Sequence, residues 1–181
     1  GGWADARLSM SGETVSTSQL LELARDARVE ALSSAKDVPG LPQLAAGLER
    51  TARDLRLTLP NDNARLSSLS LKPKREFAAA LTALESAIDS LHAAFASLAE
   101  RGEGLARCAE RAREARAGLA RWNDETRDDL VRWVEVFGHS LHLNATPLSV
   151  ADIFRRQLDD QLRSWIFTSA TLAVSGDFGH Y

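Results

Sequence analysis

The stretch from Phe77 to Leu98 constrains the fold more than any other part of the chain. Its large apolar residues recur at alternating steps of four and three positions: Phe77, Leu81, Leu84, Ile88, Leu91, Phe95 and Leu98. That spacing places them along one side of a helix, as a seam of the kind that packs against other helices. One helix cannot bury such a seam alone, so the stretch predicts a helical bundle.

The same periodicity runs through residues 16–124, which are rich in Ala, Leu, Arg and Glu. It predicts four long helices. The first begins near Ser16 or Thr17, with Gln19 as the capping-box partner of Ser16, and runs to about Lys36. The second lies between the break at Pro39-Gly40 and Pro60, and a loop follows it as far as Pro73.

The fourth helix carries a seam with many small residues, after Gly102 and Gly104 have ended the third. Its members are Leu105, Cys108, Ala112, Ala115, Leu119 and Trp122. Small residues let a neighbouring backbone come close, and short links favour antiparallel neighbours. We therefore expect an elongated antiparallel helical bundle with long exposed sides.

The periodicity changes after Asp124. The segments VRWVEVF and HSLHLNA flank a break at Gly138-His139, which predicts two short strands joined by a tight turn. A short helix capped by Ser149 and a buried strand, SWIF, are predicted next. The expected fold class is thus mainly α, with a small α/β portion after the bundle.

Composition excludes several classes of protein. The 181 residues are 44% hydrophobic, which indicates a globular core, and the net charge of −3 gives no overall attraction to nucleic acid. No apolar run reaches the roughly 20 residues of a membrane-spanning helix, and no signal peptide is recognised, so we expect a cytoplasmic protein. Cys108 is the sole cysteine and cannot hold zinc or an iron–sulfur cluster alone; its place on the seam favours a buried, inert thiol.

Clustered arginines are the candidate nucleic-acid contacts. They lie on the second and fourth helices: Arg50, Arg53 and Arg56, and Arg107, Arg111, Arg113 and Arg116. A basic helical side can follow the phosphates of a single strand. The alternative is a solvated face on which Glu110 and Glu114 pair with these arginines.

Aromatic and histidine side chains give weaker signals. Trp122 and Trp133 could stack on bases, although the seam position of Trp122 favours burial. His139 and His142 have no partners at metal-binding spacing and are interpreted as strand or turn residues.

The closing stretch SWIFTSATLAVSGDF, preceded by LNATPLSVADIF, resembles the DinG/YoaA branch of the XPD-like superfamily-two DNA helicases. In that branch a strand ends in a TSATL loop called motif III. The segment VSTSQLLELARD is similar to the stretch after the Asp-Glu-Ala-His box. The resemblance implies that residues 1–15 lead in from a motor domain, 16–124 form an Arch-like insertion, and 125–181 re-enter the first RecA-like motor domain and end in the TSATL motif.

The resemblance also implies a role for Thr168, Ser169, Ala170 and Thr171 as the motif III loop that couples ATP hydrolysis to movement. Hydroxyls at the carboxyl end of a strand suit this, because they can donate or accept hydrogen bonds as partners change. The alternative is that these residues only cap a turn.

Much of the chemistry implied for the parent enzyme is missing from this chain. It has no GxxxxGK[ST] phosphate loop, no Asp-Glu-Ala-His box and no four-cysteine cluster. The resemblance implies a parent that uses ATP, Mg²⁺ and a [4Fe-4S] cluster, moves 5′ to 3′ on single-stranded DNA and acts in DNA repair. We expect the chain to be a segment that works with the remaining helicase domains and is inactive alone. The alternative is a stand-alone helical protein-interaction module without a motor.

Overall fold

The computed structural model describes residues 13–60 and 63–149, together with residues 152, 155 and 158. The predicted SWIF strand and the motif III loop lie outside the described residues. The regular elements within them are β1 (Glu13–Ser16), α1 (Thr17–Ser34), α2 (Leu41–Leu57), β2 (Ala64–Ser67), α3 (Ser68–Leu71), α4 (Arg75–Ala96), a 3₁₀ turn (Ala99–Arg101), α5 (Glu103–Asn123), β3 (Leu130–Val136) and β4 (Leu141–Pro147).

The four long helices form an antiparallel bundle, as predicted. Helix α1 packs against α2 and α5, and α4 packs against the same two helices. Ion pairs join Asp26 to Arg111 and Asp37 to Arg101, so α5 runs backwards along α1. The edge-to-face contact of Phe77 with Trp122 gives α4 and α5 the same antiparallel relation.

Local sequence signals explain where these helices begin and which sides they bury. The backbone N–H of Gln19 donates to Ser16 Oγ at 3.1 Å, and the backbone N–H of Ser16 donates to the side-chain oxygen Oε1 of Gln19 at 3.3 Å. These two bonds confirm the capping box at the start of α1. The apolar seam of α4 is buried from Phe77 to Phe95. The amide of Asp152 donates to Ser149 Oγ, as expected of a cap.

The four described strands form one antiparallel sheet in the order β1-β4-β3-β2. Val134 lies opposite Leu143, and Val136 opposite Leu141. The buried apolar residues of β3 and β4, Val134, Val136, Leu141, Leu143 and Ala145, alternate along each strand, so the sheet presents one apolar face to the bundle. The tight turn predicted around Gly138 is confirmed.

The sheet closes one end of the bundle. The amide of Leu141 donates to Thr17 Oγ1 at 2.9 Å, at the start of α1. The indole of Trp122, at the end of α5, donates to the carbonyl of Trp133 in β3. Buried residues of the helices and the strands form one continuous core.

Two parts of the sheet differ from the sequence prediction. The segment predicted as a loop up to Pro73 contains β2, which pairs with β3, and the short helix α3. The segment expected only to lead into the bundle contributes β1, which pairs with β4. The β3–β4 hairpin thus completes an antiparallel sheet with strands from the first half of the chain.

A glycine permits the close approach of β1 to α5. A Cβ built on Gly118 would lie 2.6 Å from Val15 Cγ2, well inside van der Waals contact. Val15 is buried, so any larger residue at Gly118 would have to displace the Val15 side chain or the strand that carries it.

Candidate nucleic-acid interface

The arginines of α5 were candidates for DNA contact, and three of them form ion pairs. Arg111 Nη1 lies 2.7 Å from Asp26 Oδ2, on α1. Arg116 Nη1 lies 3.0 Å from Glu85 Oε2 on α4, and its Nε is at the same distance from Asp89. These guanidinium groups are therefore directed at carboxylates of the neighbouring helices.

Arg113 pairs within its own helix, as the alternative interpretation expected. Its Nη2 lies 2.5 Å from Glu110 Oε1. The hydrogen bond to Arg113 lowers the pKa of Glu110, and the same bond raises the pKa of Arg113. The pair is exposed, so it adds little to stability but offsets the charge of Arg113.

Arg107 differs from the other arginines of α5. It is exposed and has no hydrogen bond or ion pair within the described ranges. It lies near the buried thiol of Cys108, whose pKa is raised mainly by burial. The predicted burial of Cys108 is confirmed, and a raised thiol pKa reduces its nucleophilicity at neutral pH.

The three candidate arginines of α2 have three different environments. Arg56 is only 5% exposed, and its guanidinium donates to the carbonyls of Phe137, Leu59 and Gly138. Arg53 is exposed and pairs with Glu49 at 3.0 Å. Arg50 is exposed without an ion pair among the described residues.

Arg56 therefore serves the fold, and the structure does not support its predicted contact with DNA. Its hydrogen bonds to the carbonyls of Phe137 and Gly138 attach the turn between β3 and β4 to the end of α2, and the third bond, to the carbonyl of Leu59, is local. A phosphate has little access to a side chain this deeply buried.

The aromatic and histidine candidates are used mainly in packing. Trp122 is buried, as its seam position predicted. Trp133 is partly buried, with the guanidinium of Arg65 at 5.8 Å from its ring centroid. His142 packs edge-on against Phe137. In the part of the chain that the structure describes, no group of three or more His, Cys, Asp or Glu side chains could hold a metal ion.

A cleft of about 480 Å³ lies between β1, α1 and α5. Its lining mixes carboxylates, including Glu22 and Glu114, with Arg111 and Arg121. Both arginines already pair with acidic residues, so neither guanidinium group is free to bind a ligand in the cleft. No helix in the described ranges has the length and apolar character needed to cross a membrane.

The described part of the chain is thus a helical bundle closed at one end by a small antiparallel sheet. The chain is similar to the ATP-dependent DNA helicase YoaA of Haemophilus influenzae, with 31% identity over 171 residues. It is equally similar to the ATP-dependent DNA helicase YoaA of Escherichia coli, with 31% identity over 170 residues. The predicted resemblance to DinG/YoaA-type helicases is thus confirmed.

The alignments cover very different shares of this chain and of its relatives. Each alignment covers 94% of this chain and 27% of the helicase, so the chain spans about a quarter of the length of these relatives. No protein-family model matches the chain. No solved structure matches it significantly.

Proposed function

We propose that this chain is a segment of an ATP-dependent DNA helicase of the DinG/YoaA type. The observation that carries the proposal is its similarity, over 94% of its length, to two proteins named as such helicases. The enzymatic activity belongs to the complete protein, in which this segment works with the remaining helicase domains on single-stranded DNA in the cytoplasm. By the sequence resemblance, movement is 5′ to 3′ and serves DNA repair.

The path of the chain supports an insertion between parts of a motor domain. Strand β1 leads into the bundle, β3 and β4 follow it, and β1 pairs with β4. Arg121, near the end of the last helix, also pairs with Glu13 in β1. The chain thus enters and leaves the bundle at adjacent points, as an inserted domain requires.

These points support the domain assignment that the resemblance implies. Residues 16–124 would form the Arch-like insertion, and residues 1–15 and 125–181 would belong to the first RecA-like motor domain. Thr168, Ser169, Ala170 and Thr171 would form the motif III loop, whose hydroxyls exchange hydrogen-bond partners as the nucleotide state changes.

The cofactors of the parent enzyme would be held by other parts of it. The chain has one cysteine and no phosphate loop, so its own residues do not fit a [4Fe-4S] cluster or the ATP and Mg²⁺ site. The described residues add no group of metal ligands. The proposal therefore assigns this segment a coupling and DNA-contact role and no catalytic step.

The test uses the complete protein encoded by the reading frame that contains this segment. ATP hydrolysis is measured with and without single-stranded DNA, and strand separation on duplexes with a 5′ or a 3′ single-stranded tail. We expect DNA-stimulated hydrolysis and separation of the 5′-tailed duplex. Absence of ATP hydrolysis would contradict the proposal and favour the stand-alone interaction module.

The motif III assignment has its own test in that protein. The double variant Ser169→Ala/Thr171→Ala should lose more strand separation than ATP hydrolysis, because it removes coupling hydrogen bonds and spares the nucleotide site. Ser33→Ala/Thr82→Ala, which removes two exposed hydroxyls from the bundle, is the matched control. Equal loss of both activities would assign the loop to hydrolysis itself, and no loss would leave it as a turn.

A further inference from the structure

The cations of the bundle fall into two groups that the sequence does not distinguish. Most arginines of α5 contact carboxylates. In contrast, Arg25 and Arg28 on α1 and Arg50 on α2 are exposed and make no hydrogen bond or ion pair with any described residue. Their charges are therefore available to a ligand.

Helical spacing places Arg25 and Arg28 on the outer side of α1. The opposite side of the helix is buried in the core and consists of Leu20, Leu23, Ala24, Ala27 and Ala31. The outer side also carries two large apolar residues, Val29 and Leu32, which are 58% and 49% exposed. Arg28, Val29 and Leu32 lie three, four and seven positions after Arg25. This spacing places all four residues in one stripe along the helix.

Arg50 lies on the neighbouring helix, at the same level of the hairpin as this stripe. Helices α1 and α2 pack together, and the short segment 35–40 joins them. Arg25 lies nine residues before the end of α1, and Arg50 lies nine residues after the start of α2. At 1.5 Å per residue both are about 13 Å from the connection, and therefore at the same level of the hairpin.

Two of the nearby carboxylates are paired with arginines outside this surface. Asp26 pairs with Arg111, Glu49 pairs with Arg53, and Glu22 lines the cleft on the α5 side of α1. Asp54 lies one turn after Arg50 but forms no ion pair within the described ranges. Arg25, Arg28 and Arg50 are therefore three exposed guanidinium groups on one helical hairpin, and none of them is paired with a described carboxylate.

We propose that this surface, the hairpin patch (Arg25, Arg28 and Arg50), binds the phosphate backbone of single-stranded DNA. The inference rests on the proposed function and locates its DNA contact on α1 and α2, away from the ion-paired arginines of α5. Guanidinium groups suit phosphate oxygens because they can donate two parallel hydrogen bonds. Val29 and Leu32 offer apolar surface beside them for sugars and bases.

The experiment measures binding of fluorescein-labelled oligothymidylate to the complete protein over a range of salt concentrations. The patch variant is Arg25→Gln/Arg28→Gln/Arg50→Gln. The control, Lys72→Gln/Arg121→Gln/Arg127→Gln, removes the same charge from exposed side chains that are ion-paired. Circular dichroism checks that both variants are folded.

The patch variant should bind roughly 10- to 100-fold more weakly at about 0.1 M salt, and its slope of log K against log salt should fall by about 2, since each lost contact to a single strand removes about 0.7. The control should stay within about twofold of wild type. Equal loss in both variants would mean that overall charge governs binding, and would overturn the proposal.

Undiminished binding by the patch variant would also overturn the proposal, and would leave the patch as a surface for an acidic protein partner. In either case DNA-stimulated ATP hydrolysis by the wild type would keep the proposed function intact. A wild-type protein that neither hydrolyses ATP nor binds the oligonucleotide would overturn both.

Discussion

The bundle and the sheet are encoded by the chain in opposite ways. Each long helix uses one continuous segment; α4, for example, takes 22 consecutive residues. The sheet gathers strands from three separate regions, at residues 13–16, 64–67 and 130–147. Local periodicity therefore specifies the bundle, whereas the sheet depends on contacts that form only when the helices bring distant segments together.

The two regions nevertheless depend on each other. The sheet buries one face on the bundle end, and hydrogen bonds from Leu141, Trp122 and Arg56 cross between the regions. A four-residue strand such as β1 or β2 would have little stability alone. We therefore expect the bundle and the sheet to unfold as one cooperative unit.

The largest loss of stability is expected from a substitution in the bundle core. Ile88 is fully buried, so Ile88→Asp should lower the free energy of unfolding by more than about 3 kcal/mol, because it places a charge without a partner among apolar side chains. Ser90→Asp, at an exposed position of the same helix, should change it by less than about 0.5 kcal/mol. Chemical denaturation measures both. Equal stability of the two variants would refute the seam assignment.

A smaller loss is expected at the junction of the two regions. Arg56→Met keeps an apolar stem but leaves three carbonyls without their donor, which should cost about 1–3 kcal/mol. Arg50→Met, on the exposed side of the same helix, should cost less than about 0.5 kcal/mol. Amide exchange in the β3–β4 hairpin should also accelerate in Arg56→Met. Unchanged exchange there would mean that Arg56 does not hold the hairpin.

The smallest changes in stability are expected at two glycines, Gly47 and Gly118, and they should be opposite in sign. Gly47 has open space around its Cα, so Gly47→Ala should stabilise α2 by about 0.5–1 kcal/mol through helix propensity. Gly118→Ala gains the same propensity but drives a methyl group into Val15, and we expect a net loss of about 1 kcal/mol. Thermal unfolding compares the two. Stabilisation by both variants would show that β1 can shift away from α5 at little cost.

Sequence reasoning predicted the features that local chemistry determines. The capping box at Ser16, the buried seam of α4 and the turn at Gly138 each depend on residues a few positions apart. Strand β2 was missed because ARLS has no strand pattern of its own and forms by pairing with β3.

The ion pairs of the candidate arginines likewise divide into local pairs and pairs between distant parts of the chain. The pairing of Arg113 with Glu110 was open to prediction, since the two residues lie three positions apart on one helix. The partners of Arg111 and Arg116 come from α1 and α4, and only the fold brings them together. Counting arginines along a helix therefore could not tell which of them remain available to DNA.

Native-state amide hydrogen exchange of the 181-residue chain measures this cooperativity, by comparing α4 in the bundle with β4 in the sheet. If the two regions unfold as one unit, their most protected amides should exchange with the same opening free energy, equal to that of global unfolding. Opening of β4 several kcal/mol below α4, with the bundle still protected, would show that the sheet unfolds separately and would contradict a single cooperative unit.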